Sequence, residues 1–222
     1  MLDEADADGF ATKLAAATGR AVRDYGDEDV VNEEPFSDQL CGRLKETLES
    51  FKTANIDWQV DVAQASLGRG RLRARTLAKH KEEPDLGADL VMTLDIDTPT
   101  YSVRKGFLAQ AKRLQPGKLL SNEKHRELIG QCDRMLSVTP ASMVFLYSTE
   151  EVTVVPAAAV MALRHTNLWK IVTYEIEILY RDFAICWFGD PRLQSTDRQS
   201  LEGLRAATGA NAALRFSGRQ IR

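Results

Sequence analysis

PDLGADLVMTLDI (residues 84–96) and KGFLAQAKRL (residues 105–114) are two apolar runs that read as neighbouring strands. In the second run Phe107, Ala109 and Ala111 alternate with Leu108, Gln110 and Lys112, between Gly106 and Pro116. Side chains two apart share a face of a strand, so Gln110 and Lys112 point the same way and set an amide oxygen beside an ammonium. Asp89 heads the preceding strand and reaches the same spot, after Gly87 and Ala88, where a metal can approach the backbone closely. Asp85 completes a literal Pro-Asp but falls in the loop EEPDLG, ahead of the strand, which makes Asp89 the better candidate. Asp95 and Asp97 lie at the far end of the first run, beside Thr98 and Pro99, and read as solvated turn residues.

An acid, an amide oxygen and a lysine on adjacent strands suit phosphodiester hydrolysis. Hard oxygen ligands hold Mg²⁺ or Mn²⁺ near a phosphate, and a cation positions the attacking water or stabilises the developing charge. The pattern resembles the PD-(D/E)XK nuclease superfamily, the fold of many restriction endonucleases, in which an acid on one strand is followed on the next by acid-x-Lys. The resemblance implies a restriction endonuclease-like α/β fold, a mixed sheet flanked by helices, and a Mg²⁺-dependent DNA endonuclease. It makes Asp89 the metal-binding acid, Gln110 the second metal ligand and Lys112 the catalytic lysine. Gln110 stands where the acid of acid-x-Lys is usual, as in the Mrr-like branch, and lowers the negative charge of the site by one. An amide oxygen binds Mg²⁺ more weakly than a carboxylate does. Either another acid compensates, or activity has been lost.

The family often supplies that acid from a helix ahead of the sheet. NEEPFSDQLCGRLKETLESF (residues 32–51) reads as such a helix, with Phe36, Leu40, Leu44, Leu48 and Phe51 in one apolar stripe. Glu33 and Glu34 stand at its start, and Pro35 suits the first turn. Glu34 is the candidate metal and catalytic residue, ahead of Glu33; complementing the helix dipole is the other reading of both.

LGRGRLRARTLAKHK (residues 67–81) carries Arg69, Arg71, Arg73, Arg75, Lys79 and Lys81 and no acid, just ahead of the Asp89 strand. These arginines are candidate nucleic-acid contacts, with a solvated hairpin as the alternative. The net charge of −3 and the pI near 5.7 argue against a protein that coats nucleic acid indiscriminately.

The 222 residues, 44% hydrophobic and 27% charged, suffice for one domain with a sizeable core. The expected division is an N-terminal helix at 1–31, a nuclease core at 32–148 and a C-terminal extension of helices and strands at 149–222. Within it, helices are expected near 4–24 and 34–53, a half-buried strand at IDWQVDVAQAS, and the two motif strands. A helix with Leu128, Cys132 and Met135 inward follows, then strands at 142–148 and 151–156. Helix, three strands, helix, strand is the core order the resemblance implies. Gln131, in the helix after Lys112, is similar to a glutamine that lies near the site in some of these nucleases. Past residue 156 a short helix is expected at AAAVMALRH, helix or strands at YEIEILYRDFAICWFGDPRL, a helix at 196–208 and a strand at ALRFSGRQI.

No run of residues is apolar enough for a membrane span and the first residues are acidic, so a cytoplasmic protein is expected. Cys41, Cys132 and Cys186 are too few and too scattered for a disulfide framework or a zinc motif, and read as free core thiols. His80, His125 and His165 share no ligand spacing. The expected partner is DNA, with a homo-oligomer or a restriction or anti-phage defence system as further partners. A catalytically inactive member of the fold that binds nucleic acid or a partner protein is the alternative.

If the basic run touches phosphates, Arg71→Ala with Arg73→Ala weakens DNA binding and flattens its dependence on salt. An unchanged salt slope in a binding titration would remove the run from the interface.

Overall fold

The computed structural model describes residues 2–26, 34–49, 51–64, 86–149 and 151–221. In chain order these form α1 (Glu4–Gly26), α2 (Glu34–Leu48), β1 (Ile56–Gln64), β2 (Leu90–Thr98), β3 (Tyr101–Arg113), α3 (Asn122–Val138), β4 (Ser142–Tyr147), β5 (Val152–Pro156), α4 (Ala157–Leu163), a 3₁₀ turn (Leu168–Lys170), β6 (Tyr174–Glu175), α5 (Ile176–Ala184), α6 (Arg198–Thr208) and β7 (Ala212–Gln220). Among the described residues the strands make one mixed sheet in the order β1-β7-β2-β3-β4-β5-β6, with helices on both faces. This is the expected α/β architecture. No described helix is long and apolar enough to cross a membrane.

β2 and β3 are an antiparallel hairpin, closed where Thr98 Oγ1 accepts from Tyr101 N at 3.0 Å. α3 carries the chain over to β4, which runs parallel to β3 and turns back into β5. The helix starts where Ser121 Oγ accepts from Lys124 N at 3.2 Å, satisfying one of the amides that the first turn leaves unpaired. α1, α2 and α5 cover one face, packing Phe10, Phe36, Leu40 and Phe183 against Trp58, Met92, Phe107 and Phe216. On the other, α3, α4 and α6 pack Leu128, Met135, Val160 and Leu201 against Val91, Leu108, Val144 and Leu146. Burial on both faces is why LVMTL and MVFLY read as continuous apolar runs rather than as alternation.

β7 departs from the expected division of the chain. It lies between β1 and β2, antiparallel to the first and parallel to the second, with Leu214 paired to both Val62 and Met92. The sheet therefore draws on both 32–148 and 149–222, with β7 inserted between β1 and β2.

Asp95 is not a turn residue. It is 1% exposed near the middle of β2, where its Oδ2 accepts from Arg215 Nη2 at 2.6 Å and Arg219 Nη2 at 2.9 Å, and its Oδ1 from Arg104 Nε at 3.1 Å. Arg215 Nη1 reaches on to Asp61 Oδ2 at 2.6 Å, so the charges tie β2, β7, β3 and β1 together. Asp97 is exposed near the turn, as expected. Cys41 and Cys132 are core thiols, but Cys186 is exposed just past α5, at a positive φ of 70°.

Burial disfavours the charge on Asp95, but hydrogen bonds from Arg215, Arg219 and Arg104 outweigh it and hold the carboxyl below its usual range. Because the folded value is lowered, the stability it confers is complete above the unfolded value of about 3.9 and disappears as pH falls through the folded value. Asp95→Asn removes the buried carboxylate of the cluster, leaving Arg215 with Asp61 alone, and should cost about 3–5 kcal/mol in denaturant unfolding at neutral pH. The difference from the parent should shrink in acid.

Candidate active site

The pairing of Leu90 with Ala109 sets Asp89 across from Gln110 at the start of β2. The backbone of Asp89 is clamped on both sides: its N–H donates to Ala109 O at 2.9 Å, and its carbonyl accepts from Ala212 N on β7 at 3.1 Å. The side chain is held as firmly. Oδ2 accepts from Ala111 N at 2.9 Å and, in a short hydrogen bond, from Gln110 Nε2. Oδ1 accepts from Asn211 Nδ2 at 3.1 Å.

Gln110 is 2% exposed, and its Nε2 also donates to Ala111 O at 3.1 Å. Both neighbours of that nitrogen are acceptors, so the amide cannot be turned round without setting oxygen against oxygen. Its Oε1 is then left buried without a hydrogen-bond partner among the described residues. An unmade bond of this kind costs about 1–3 kcal/mol. A bound cation or water would relieve it.

Lys112, 3% exposed and on the same face of β3, has its Nζ 3.8 Å from Glu127 Oε1 on α3. Gln131, one turn on, donates from Nε2 to the same Glu127 oxygen at 3.4 Å, and its own Oε1 is a second buried acceptor without a described partner. Cys132 flanks the lysine. Burial pushes its thiol up to about 12, against the opposing pull of Lys112, so it is a neutral packing group at physiological pH.

Gly87 serves a closer packing than expected. It has φ +74°, and a Cβ there would lie 2.7 Å from Gln131 Cα. The close approach it permits is to α3, which seats the turn carrying Asp89 against the helix carrying Glu127 and Gln131.

The structure thus brings Asp89, Gln110, Lys112 and Gln131 together. Glu34 opens α2, a helix of the opposite layer, but its side chain lies outside the described residues; so do Glu33, Asp85 and the basic run with Arg69, Arg71, Arg73 and Arg75. Two members of the cluster were not anticipated. Glu127 was legible in principle, because it precedes Gln131 by four residues and so shares its helix face. Asn211 was not, because it is 122 residues from Asp89 and reaches it only through the placement of β7.

The unpartnered amide oxygen beside a carboxylate is the chemistry a hard cation takes. Asp89, the free Oε1 of Gln110 and the carboxylate of Glu127 are the groups that would hold it, with Lys112 alongside. Among the described residues no three His, Cys, Asp or Glu side chains gather as a metal-binding group, so amide oxygens have to complete the set. Comparison with protein-family models, with curated proteins and with solved structures found no match.

Gly87→Ala should lower stability by about 2–3 kcal/mol through the strained φ and the collision with α3, a fall in Tm on the order of 4–12 °C. Gly117, also at φ +74° but with open space around it, is the comparison. Gly117→Ala should cost only the backbone strain, about 1–2 kcal/mol, and thermal unfolding of the two variants separates the contributions.

Proposed function

We propose that this protein is a metal-dependent nuclease of the PD-(D/E)XK type, hydrolysing DNA phosphodiester bonds with Mg²⁺ or Mn²⁺ at Asp89, Gln110 and Lys112. The observation that carries the reading is the buried, unpartnered Oε1 of Gln110, next to a fixed carboxylate and on the same strand face as a nearly buried ammonium. The succession α2, β1, β2, β3, α3, β4 supports it as well.

When bound, the cation would supply charge neutralisation at a phosphate and a more acidic water. Asp89 enters that site with its orientation already set by Ala111 N, Gln110 and Asn211, so little ordering is left for the moment of binding. Lys112 offers an ammonium to the phosphate oxygen, or to a water aligned for attack on phosphorus. Glu127 contributes the second carboxylate that residue 110 lacks, and its contact with Lys112 ties the ammonium to α3. Gln131 holds Glu127 from the next turn of α3.

Purified protein should nick plasmid DNA with Mg²⁺ or Mn²⁺, and EDTA should abolish the activity. Lys112→Ala should reduce the rate by about 10²–10³-fold, the range for removal of one electrostatic stabiliser. Glu127→Gln should raise the metal concentration needed for half-maximal activity. An inert wild-type protein that still binds DNA would replace this reading with the catalytically inactive module, for which the neutral Gln110 is the supporting feature.

A further inference from the structure

Beyond Lys112, β3 ends at Arg113 and the chain runs through residues 114–121 into α3. That connection is joined to the segment after α4 by two hydrogen bonds, Leu120 N to Thr166 O at 3.1 Å and Trp169 Nε1 to Gln115 O at 3.1 Å. Together the two segments make one continuous ledge. It exposes Lys118 from the first and Arg164 and Lys170 from the second, and is continued by exposed Lys124 and Arg126 at the start of α3.

Three properties set this ledge apart. Residues 114–126 and 161–171 hold these five cations against one carboxylate, Glu123, in a chain whose net charge is −3. None of the five is in an ion pair among the described residues, whereas Arg104, Arg215 and Arg219 of the sheet are committed to Asp95. The ledge also begins where the candidate site ends. Lys124, Glu127 and Gln131 lie three and four residues apart, on one stripe of α3. Lys124 is therefore about 4.5 Å along the helix axis from the residue that contacts Lys112.

We infer that this ledge carries the phosphate backbone of duplex DNA flanking the bond to be cut. The inference rests on the nuclease reading for its placement and adds to it a binding surface on the α3–α4 layer. Exposed cations outside any ion pair, on two segments joined by hydrogen bonds, suit a polyanion with one charge per about 1.7 Å of axis, and backbone contacts of this kind confer affinity without reading sequence. Exposed Leu119 and Leu163 share the ledge, so an anionic lipid surface is the competing occupant to be tested.

The test is fluorescence anisotropy of the full chain with a 30-base-pair duplex in EDTA, over a salt series. A variant carrying Lys118→Ala, Lys124→Ala, Arg164→Ala and Lys170→Ala should bind at least tenfold more weakly at low salt. Its plot of log affinity against log salt should be shallower by about 3–4, close to 0.9 for each phosphate no longer neutralised. Lys118→Arg, Lys124→Arg, Arg164→Lys and Lys170→Arg together should restore the slope, which a folding defect would not. Arg23→Ala with Lys45→Ala, exposed on α1 and α2 in the opposite layer, should leave it unchanged. A parental slope in the alanine variant overturns the inference, as does binding to phosphatidylserine vesicles with none to the duplex. Cleavage by a wild-type protein whose salt slope ignores the ledge would spare the nuclease reading and remove the ledge; ledge-dependent binding without cleavage would do the reverse.

Discussion

A single buried carboxylate on β2 orders the middle of the sheet. Asp95 could not remain ionised at 1% exposure without cations around it, and the cations it takes come from both neighbouring strands: Arg104 from β3, Arg215 and Arg219 from β7. Arg215 then needs a second anion and takes Asp61 from β1. A slip of β7 by one residue would turn Arg215 to the opposite face and strand both charges. Apolar packing alone would tolerate several registers among strands so rich in Val, Leu and Ala. The ion cluster tolerates one.

That register delivers the site. With Ala212 opposite Leu90, the residue before β7 falls beside Asp89, and Asn211 donates to the one carboxylate oxygen that β3 does not reach. Glutamine at 110 has a local logic of the same kind. A glutamate there would set one carboxylate against another, a repulsion relieved only by a proton or a cation. The amide instead donates to Asp89 and to Ala111 O, so the two side chains sit together without a proton or an ion between them. The carboxylate beside Lys112 comes from Glu127 on α3, 3.8 Å from the ammonium.

Local pattern carried a large part of this into the sequence. The helices that became α1, α3 and α6 and the strands that became β1 to β5 are written in spacing, and the shared face of Gln110 and Lys112 follows from period two alone. Asp95 misled because an acid three residues from Thr98 reads as turn chemistry, and nothing nearby announces that two of its partners, Arg215 and Arg219, lie beyond residue 214. Asn211 is silent for the same reason. Long-range strand order leaves no local signature, and it decided which polar residues were buried together.

The position of β7 also has a consequence in time. Its contacts with Asp61 and Asp95 close across 154 and 120 residues, so β1 and β2 must wait for it with unpaired edges. At a synthesis rate of about 5–20 residues per second, the interval between completing β2 and completing β7 is roughly 6–25 s on the ribosome. During that interval Asp89 lacks both its β7 clamp and its Asn211 donor. The cluster around Asp89 is thus complete only once β7 is in place, and a translation product that stops short of Asn211 would carry Gln110 and Lys112 on β3 without it.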